Sequence, residues 1–418
     1  MKLSSIKLKN FKVFEDETIF FDKNLTVLVG KNGAGKSSVL EAISITLSWF
    51  IARIQNSKSR GEYISKEHVR NRSKKGAFIS ASFKEEHIEE FSILIPSLGN
   101  SSEKTNVTHL NGYCKQIRDK VEQSESKCSI PVFVNYGVRR AVVDIPLRIK
   151  KTHNFELFST YDNSLRSDSN FRTFFEWYRN QEEYENELYR RHSLWNPFEP
   201  DRELETIRHS ISKFMPDFEN LTIRRKPLLR MTIDKNGETF SINQLSDGEK
   251  IYIALVGDLC RRLVLANPTL DNPLLGEGIV LIDEVDLHLH PEWQKNIAER
   301  LCATFPNIQF IITTHSPLVI NSINTKHIRI INIENNKANI IEGDYSYGLP
   351  VSIILEDVMG ISSELPKEIK ERLDSAYDSL DEGDLDKAKS ILEELQSLAP
   401  KLPDLVRIRK FIEIKSRK

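Results

Sequence analysis

The stretch "LTVLVGKNGAGKSSVLEAISITLSWF", residues 25–50, decides the fold. Its first six residues are a short apolar run rich in β-branched side chains, which reads as a buried strand. Its last part carries apolar residues at helical spacing. Between them, Gly30 to Ser37 satisfies G-x-x-x-x-G-K-[ST], in the strand–loop–helix context that a phosphate-binding loop needs. Glycines let the backbone curl so that several N–H groups converge on phosphate oxygens. The helix that follows adds the equivalent of about half a positive charge at its start. Lys36 adds a full charge, and the Ser37 hydroxyl is suited to hold Mg²⁺. Asn32, Gly33, Ala34, Gly35, Lys36, Ser37 and Ser38 are therefore expected to bind ATP, with Lys36 also taking part in catalysis.

Outward from this loop the chain alternates strands and helices. Positions 3 to 24 read as strands joined by a turn through Glu15 and Asp16, and 77 to 95 as a hairpin. Positions 97 to 130, rich in Ser, Asn and Lys, read as a flexible excursion. A buried strand returns at 130 to 137. Interleaved aromatic and charged residues from 155 to 215 then indicate a helical insertion, in which Phe174 to Trp195 is either helical core or an oligomer contact. Strands around Asn236-Gly237, a helix over 249–266, the strand GIVLIDE, a helix from 291 and the strand IQFIITTH follow. This order predicts an α/β fold, a mixed β-sheet with helices on both sides, with a helical insertion and a C-terminal helical extension. The expected boundaries are 1–150 and 221–345 for the two parts of the α/β head, 151–220 for the insertion and 346–418 for the extension. In the extension, Ile369, Leu373, Ala376 and Leu380 share one face, as do Leu385, Ala388, Leu392 and Leu395, around the turn Glu382-Gly383-Asp384. A helical hairpin follows from that spacing.

Composition narrows the function classes. With 59 Lys+Arg against 60 Asp+Glu, the net charge of -1 provides no global field for nucleic acid or anionic lipid. Cys114, Cys128, Cys260 and Cys302 lie far apart without a C-x-x-C pair, as expected of idle thiols in a reducing compartment. The N-terminus lacks the apolar core of a signal peptide, and no 18-residue apolar run is expected anywhere in the chain. A cytoplasmic protein with no membrane partner is expected.

Further residues complete a reaction centre. The strand Ile279–Ile282 ends in Asp283-Glu284, and two acids there cost desolvation energy unless they meet a cation or a proton-transfer task. Asp283 is expected to hold Mg²⁺ and Glu284 to act as general base toward water. His315, one strand–helix–strand unit later, is placed to hydrogen-bond the γ-phosphate. A second anion-binding loop, QLSDGEK at 244–250, opens the next helix, with Ser246 or Asp247 as its cap. Within one subunit it would be redundant.

This set, in this order, resembles the ATP-binding-cassette (ABC) superfamily. QLSDGEK is similar to that superfamily's signature loop, with Asp247 in place of the first glycine, as in the DNA-repair branch. The resemblance implies that Ser246, Gly248 and Glu249 complete the ATP site of a second copy, so that a homodimer or larger even-numbered oligomer forms around shared ATP. IKLKNFKVF at 6–14 resembles the opening of RecF-like and OLD-family ATPases, whose residues around Lys9, Asn10 and Phe11 lie near adenine. Asp286 to Pro291 resembles the dimer-contacting loop of that group; His288 and His290 within it otherwise lack a metal-ligand pattern.

Residues 37 to 245 hold no sustained heptads, so coiled-coil arms are not expected. IIEGDYS at 340–346 is similar to the first acidic strand of a Toprim nuclease domain, but no second paired-acid strand follows. VFVNYGVRRAV at 132–142, HLHPEWQ at 288–294, and the tail segments YGLPVSIILEDVMG and DEGDLDKAKSILEEL resemble the PtuA ATPases of Septu antiphage systems and the ATPases found beside retrons. That resemblance implies a separate HNH nuclease (PtuB-like) partner for which the ATPase is switch and scaffold. In a retron it implies a reverse transcriptase and non-coding RNA as well. A RecF-like repair ATPase is the alternative, and an OLD-like nuclease a third. Three basic clusters, Arg139-Arg140 with Arg148, Lys150 and Lys151, Arg224-Arg225-Lys226, and the terminal RIRKFIEIKSRK, are either solvated faces or contacts to DNA or ATP phosphates.

Overall fold

The computed structural model describes residues 1–70, 76–85, 88–97, 104–138, 155–166, 171–191, 198–334, 337–343, 347–359 and 365–416. They form two compact units, Met1–Gly348 and Leu349–Lys418.

The first unit opens with β1 (Lys2–Phe11) and β2 (Phe14–Phe20). Phe11 pairs with Phe14, so the chain turns at Lys12-Val13, and Glu15 and Asp16 lie inside β2 rather than in the turn. Both are exposed; Asp16 opposes Lys9 and pairs with Lys7 at 3.0 Å. After β3 (Leu25–Gly30) and α1 (Lys36–Gln55), β4 (Phe78–Glu85) and β5 (Ile88–Pro96) extend the hairpin into a sheet of order β2-β1-β4-β5. By length and composition α1 could cross a membrane, contrary to the expectation that no segment of the chain is long and apolar enough. Here it is the core helix of the unit, burying Val39, Leu40, Ile43, Leu47, Trp49 and Phe50.

The presumed excursion contains a helix, α2 (Thr108–Gln123). Leu110, Cys114, Ile117 and Val121, spaced by four, three and four, form its single buried stripe. Polar composition hid that period.

The central sheet uses β3, β6 (Val132–Tyr136), β10 (Gly278–Ile282), β11 (Ile308–Thr313), β12 (Ile328–Glu334) and β13 (Lys337–Glu342), in the order β13-β12-β3-β11-β10-β6. Only the pairing of β13 with β12 is antiparallel. Every residue of β3, β10 and β11 is buried, as parallel strands covered on both faces require. Between β6 and β10 come α3 (Phe171–Arg191), α4 (Arg202–Phe214), a meander of β7 (Phe218–Arg224), β8 (Arg230–Lys235) and β9 (Glu238–Ser241), and α5 (Asp247–Ala266). Asn236 and Gly237, both at positive φ, make the β8–β9 turn. The aromatic segment divides: Phe174, Phe175, Trp177 and Tyr178 are core, Tyr184 and Tyr189 are exposed, and Trp195 lies outside the described residues. Helices α6 (Pro291–Thr304) and α7 (Pro317–Asn321) complete the α/β head.

The second unit contains α8 (Val351–Ile353), α9 (Lys367–Glu382), α10 (Leu385–Leu398) and α11 (Asp404–Ser416). Both predicted apolar stripes meet in its core, and α11 adds Leu405, Ile408 and Ile412. The terminal basic stretch thus includes Ile408 and Ile412, which pack into a helical bundle, while its Arg407, Arg409 and Lys410 are exposed.

Candidate nucleotide site

The site lies at the carboxyl ends of three neighbouring strands, β3, β11 and β10, where open parallel sheets bind ligands. From β3 the chain enters the glycine loop and then α1. Gly35 has φ 109°, and a Cβ there would stand 2.6 Å from Val13 Cγ2, so the β1–β2 turn packs on the loop and admits no side chain. No side chain caps α1, and no acid occupies its first turn. Its leading N–H groups therefore remain available to an anion. A cavity of about 320 Å³ is lined by Asn32, Gly33, Gly35, Lys36, Ser37, Ser38, Asp283, Glu284 and His315. Ala34 is buried within the loop and does not line it.

Lys36 is nearly buried, and its Nζ donates to the carbonyls of Gly30 at 2.8 Å and Lys31 at 3.1 Å. Burial draws its pKa below the ordinary value, against the field of Asp283, Glu284 and Asp286. The lysine rests on its own loop, within reach of whatever anion the loop binds.

The acids are fixed from both neighbouring strands. Asp283 donates its N–H to the carbonyl of Tyr136 in β6 at 2.8 Å. From β11, the Thr313 hydroxyl donates to Asp283 Oδ1 at 2.6 Å and accepts the Glu284 N–H at 2.7 Å. Glu284 has φ 47°, a left-handed conformation costly for a side chain with a Cβ and retained where surrounding contacts over-determine it. Asp286 accepts the Thr314 hydroxyl at 2.5 Å and the His315 N–H at 3.3 Å. Burial and then Lys36 lower the His315 pKa, while Glu284, Asp286 and Asp283 oppose them. Sequence reasoning missed Thr313 and Thr314; the available signal was a pair of hydroxyls ending an otherwise apolar strand.

Among the described residues no group of three or more His, Cys, Asp or Glu could hold a metal ion by itself. Mg²⁺ needs no such cage when phosphates supply ligands, and Ser37 and Asp283, which both line the cavity, suit that arrangement. His290 instead caps α6, accepting the Glu292 N–H at 3.4 Å.

Ser246, Gly248 and Glu249 are not part of this cavity. Ser246 is exposed at the start of α5 and forms a reciprocal capping box with Glu249. Glu249 also pairs with Lys235 at 2.6 Å. A Cβ on Gly248 would stand 2.4 Å from the His288 carbonyl, so the loop after the acid pair packs directly against the start of α5. A second cavity of about 520 Å³ shares Ser37 and Asp283 and adds Glu41, Glu62, Asn135 and Arg166. Arg139, Arg140, Arg148, Lys150 and Lys151 lie outside the described residues. Arg225 stands 3.6 Å from Glu182 and 3.7 Å from Glu183, which accounts for part of the second basic cluster.

Residues 25–321 match the family model described as "AAA domain, putative AbiEii toxin, Type IV TA system". The "Retron Vc95 probable ATPase" of Vibrio cholerae serotype O1 biovar El Tor is 34% identical over 79% of this chain and 74% of its own length. The "Retron Ec83 probable ATPase" of Escherichia coli is 31% identical over 91% of this chain and 80% of its own length. "Septu protein PtuA" of Bacillus mycoides (strain KBAB4) is 29% identical over 80% of this chain but only 41% of its own length. With this similarity and a glycine loop, acid pair and histidine converging on one cavity, the chain belongs to the ABC-type ATPases of retron and Septu defence systems.

Proposed function

We propose that the chain is the ATP-driven switch subunit of a defence complex, working as a dimer that closes around shared ATP and regulates a partner HNH nuclease. One observation carries this reading. The cavity unites Lys36, Ser37, Asp283, Glu284 and His315, while Ser246 stands exposed outside it at a helix start. An exposed loop that resembles the ABC signature, in a chain whose own phosphate loop lies elsewhere, fits the ATP site of a partner copy.

In this reading the loop Asn32–Ser38 binds the phosphates, and Lys36 leaves its carbonyls to neutralise developing charge. Mg²⁺ would be held by Ser37 and Asp283 and would screen the phosphate oxygens. Glu284 orients the attacking water and accepts its proton, and His315 reports the γ-phosphate through a hydrogen bond. Hydrolysis removes the shared group and loosens the pair. The second unit, with its own apolar core and charged exterior, is assigned as the nuclease dock.

The test is co-expression with an HNH nuclease encoded beside the gene, followed by mass measurement of the purified assembly with and without ATP. An even number of ATPase copies with nuclease attached supports the reading. A single ATPase copy at saturating ATP, with Glu284 replaced by Gln, overturns it.

A further inference from the structure

A buried polar cluster outside the cavity lies where α5 passes the end of β6. Asp258, fully buried, accepts Arg261 Nη2 at 2.7 Å, Arg262 Nε at 2.7 Å and the Tyr136 hydroxyl at 2.9 Å. Burial would push the Asp258 carboxyl up, but the two guanidinium groups outweigh it and hold the pKa at about 2. Arg262 also donates to the carbonyls of Thr160 and Asp162, and the Thr160 hydroxyl returns a bond to the Arg262 carbonyl at 3.0 Å. Arg261 Nη1 has no hydrogen-bond partner.

Such a node is a costly way to glue a helix to a sheet, because buried ions must recover their lost hydration and apolar residues of like volume often do as well. Its position gives it another use. α5 is the helix whose first residues follow Ser246, and Asp258 sits about three turns further along that rigid rod. Tyr136 is the last residue of β6, and its carbonyl accepts the Asp283 N–H at 2.8 Å. On the other face of the same strand end, Asn135 lines the 520 Å³ cavity that shares Ser37 and Asp283. The Asn135 N–H in turn donates to the Ser164 carbonyl at 2.7 Å, in the segment that Arg262 anchors. Two hydrogen bonds, from the Tyr136 hydroxyl to Asp258 and from the Asp283 N–H to the Tyr136 carbonyl, therefore link the helix that starts at Ser246 to the acid lining the cavity.

We infer that Tyr136 is a positioning residue for ATP hydrolysis: gripped through its hydroxyl by Asp258 of α5, it sets the carbonyl that orients Asp283, and so couples the helix bearing Ser246 to the acid that holds Mg²⁺. The inference rests on the proposed roles of Ser246 and Asp283. It predicts that a change confined to one hydroxyl, on a residue that lines neither cavity, alters how the site uses its metal.

The experiment compares Tyr136→Phe with Tyr161→Phe in the full chain. Tyr161 is also buried, and its hydroxyl donates to the Pro131 carbonyl at 2.7 Å just before β6, so its loss removes a similar bond without touching Asp258. ATP turnover is titrated with Mg²⁺, and ATP affinity is measured separately in the presence of a chelator. For Tyr136→Phe the expected result is a turnover lower by about tenfold and a Mg²⁺ midpoint higher by about tenfold, with unchanged metal-free affinity. Tyr161→Phe should stay within about twofold of wild type on all three. Equal effects in the two variants, an unmoved Mg²⁺ midpoint in Tyr136→Phe, or loss of its metal-free ATP binding would each make Tyr136 merely structural and overturn the inference. Wild-type turnover that ignores Mg²⁺ would instead overturn the underlying reading, and is visible without either variant.

Discussion

The Thr313 hydroxyl donates its hydrogen to Asp283 Oδ1 at 2.6 Å. Thr313 Oγ1 also accepts the Glu284 N–H at 2.7 Å, so one side chain of β11 orients both acids at the end of β10. Replacing Thr313 by Val keeps the shape and removes both bonds. Turnover is expected to fall by about 10- to 100-fold, with ATP affinity nearly unchanged and most activity restored in Thr313→Ser. Steady-state ATPase rates beside equilibrium nucleotide binding check this.

Ser246→Arg places a bulky cation at the exposed start of α5, away from the chain's own cavity. Turnover is expected to drop by at least about 100-fold while a single copy binds ATP as before. Turnover equal to wild type would defeat the shared-site reading.

Glu284→Gln removes the proposed base and leaves the backbone bond to Thr313 in place. Hydrolysis is expected to slow by about 10²- to 10⁴-fold, and ATP should then accumulate a species of twice the mass in native mass measurement.

His315 carries a pH signature. Burial and the Lys36 charge depress its pKa below the ordinary 6.5, so in the nucleotide-free protein the ring is neutral at pH 7. A depressed pKa means that the folded state takes up the proton less readily than the unfolded chain. Its contribution to stability is thus present above the ordinary value and is lost as pH falls through the folded pKa. kcat/KM for ATP should decline with an apparent pKa below 6.5, and that limb should vanish in His315→Gln. A limb that persists in the variant belongs to another group.

Leu395, at 0% exposure, lies at the centre of the helical unit. Leu395→Ala should destabilise that unit by about 2–5 kcal/mol and, in the proposed arrangement, weaken nuclease association while ATP turnover persists. Thermal melting paired with co-purification separates the two effects.

Local patterns in the chain carried a great deal. The glycine loop, the buried strand ending in Asp283-Glu284 and a helix start capped by Ser246 or Asp247, of which the structure uses Ser246, were legible because each is a contiguous run whose chemistry and period belong to one element. The faces of α9 and α10 were legible for the same reason: a 3.6-residue repeat marks the buried side regardless of what covers it. Where composition stood in for periodicity the reading went astray, as at α2, whose four buried residues lie among polar neighbours, and at the β1–β2 turn, where surface acids stood in for turn residues.

What sequence could not contain was the set of partners brought together across the sheet. Thr313 lies 30 positions from Asp283, and Tyr136 lies 122 from Asp258. Those bonds arise from strand order, which places β11 and β6 on either side of β10 in parallel register. The chain by itself determined which groups could bind phosphate and carry a proton, since that is a property of side-chain chemistry and short-range backbone shape. The tertiary structure alone decided how the acids are oriented, because hydrogen bonds between distant residues exist only once the parallel sheet has closed around its core.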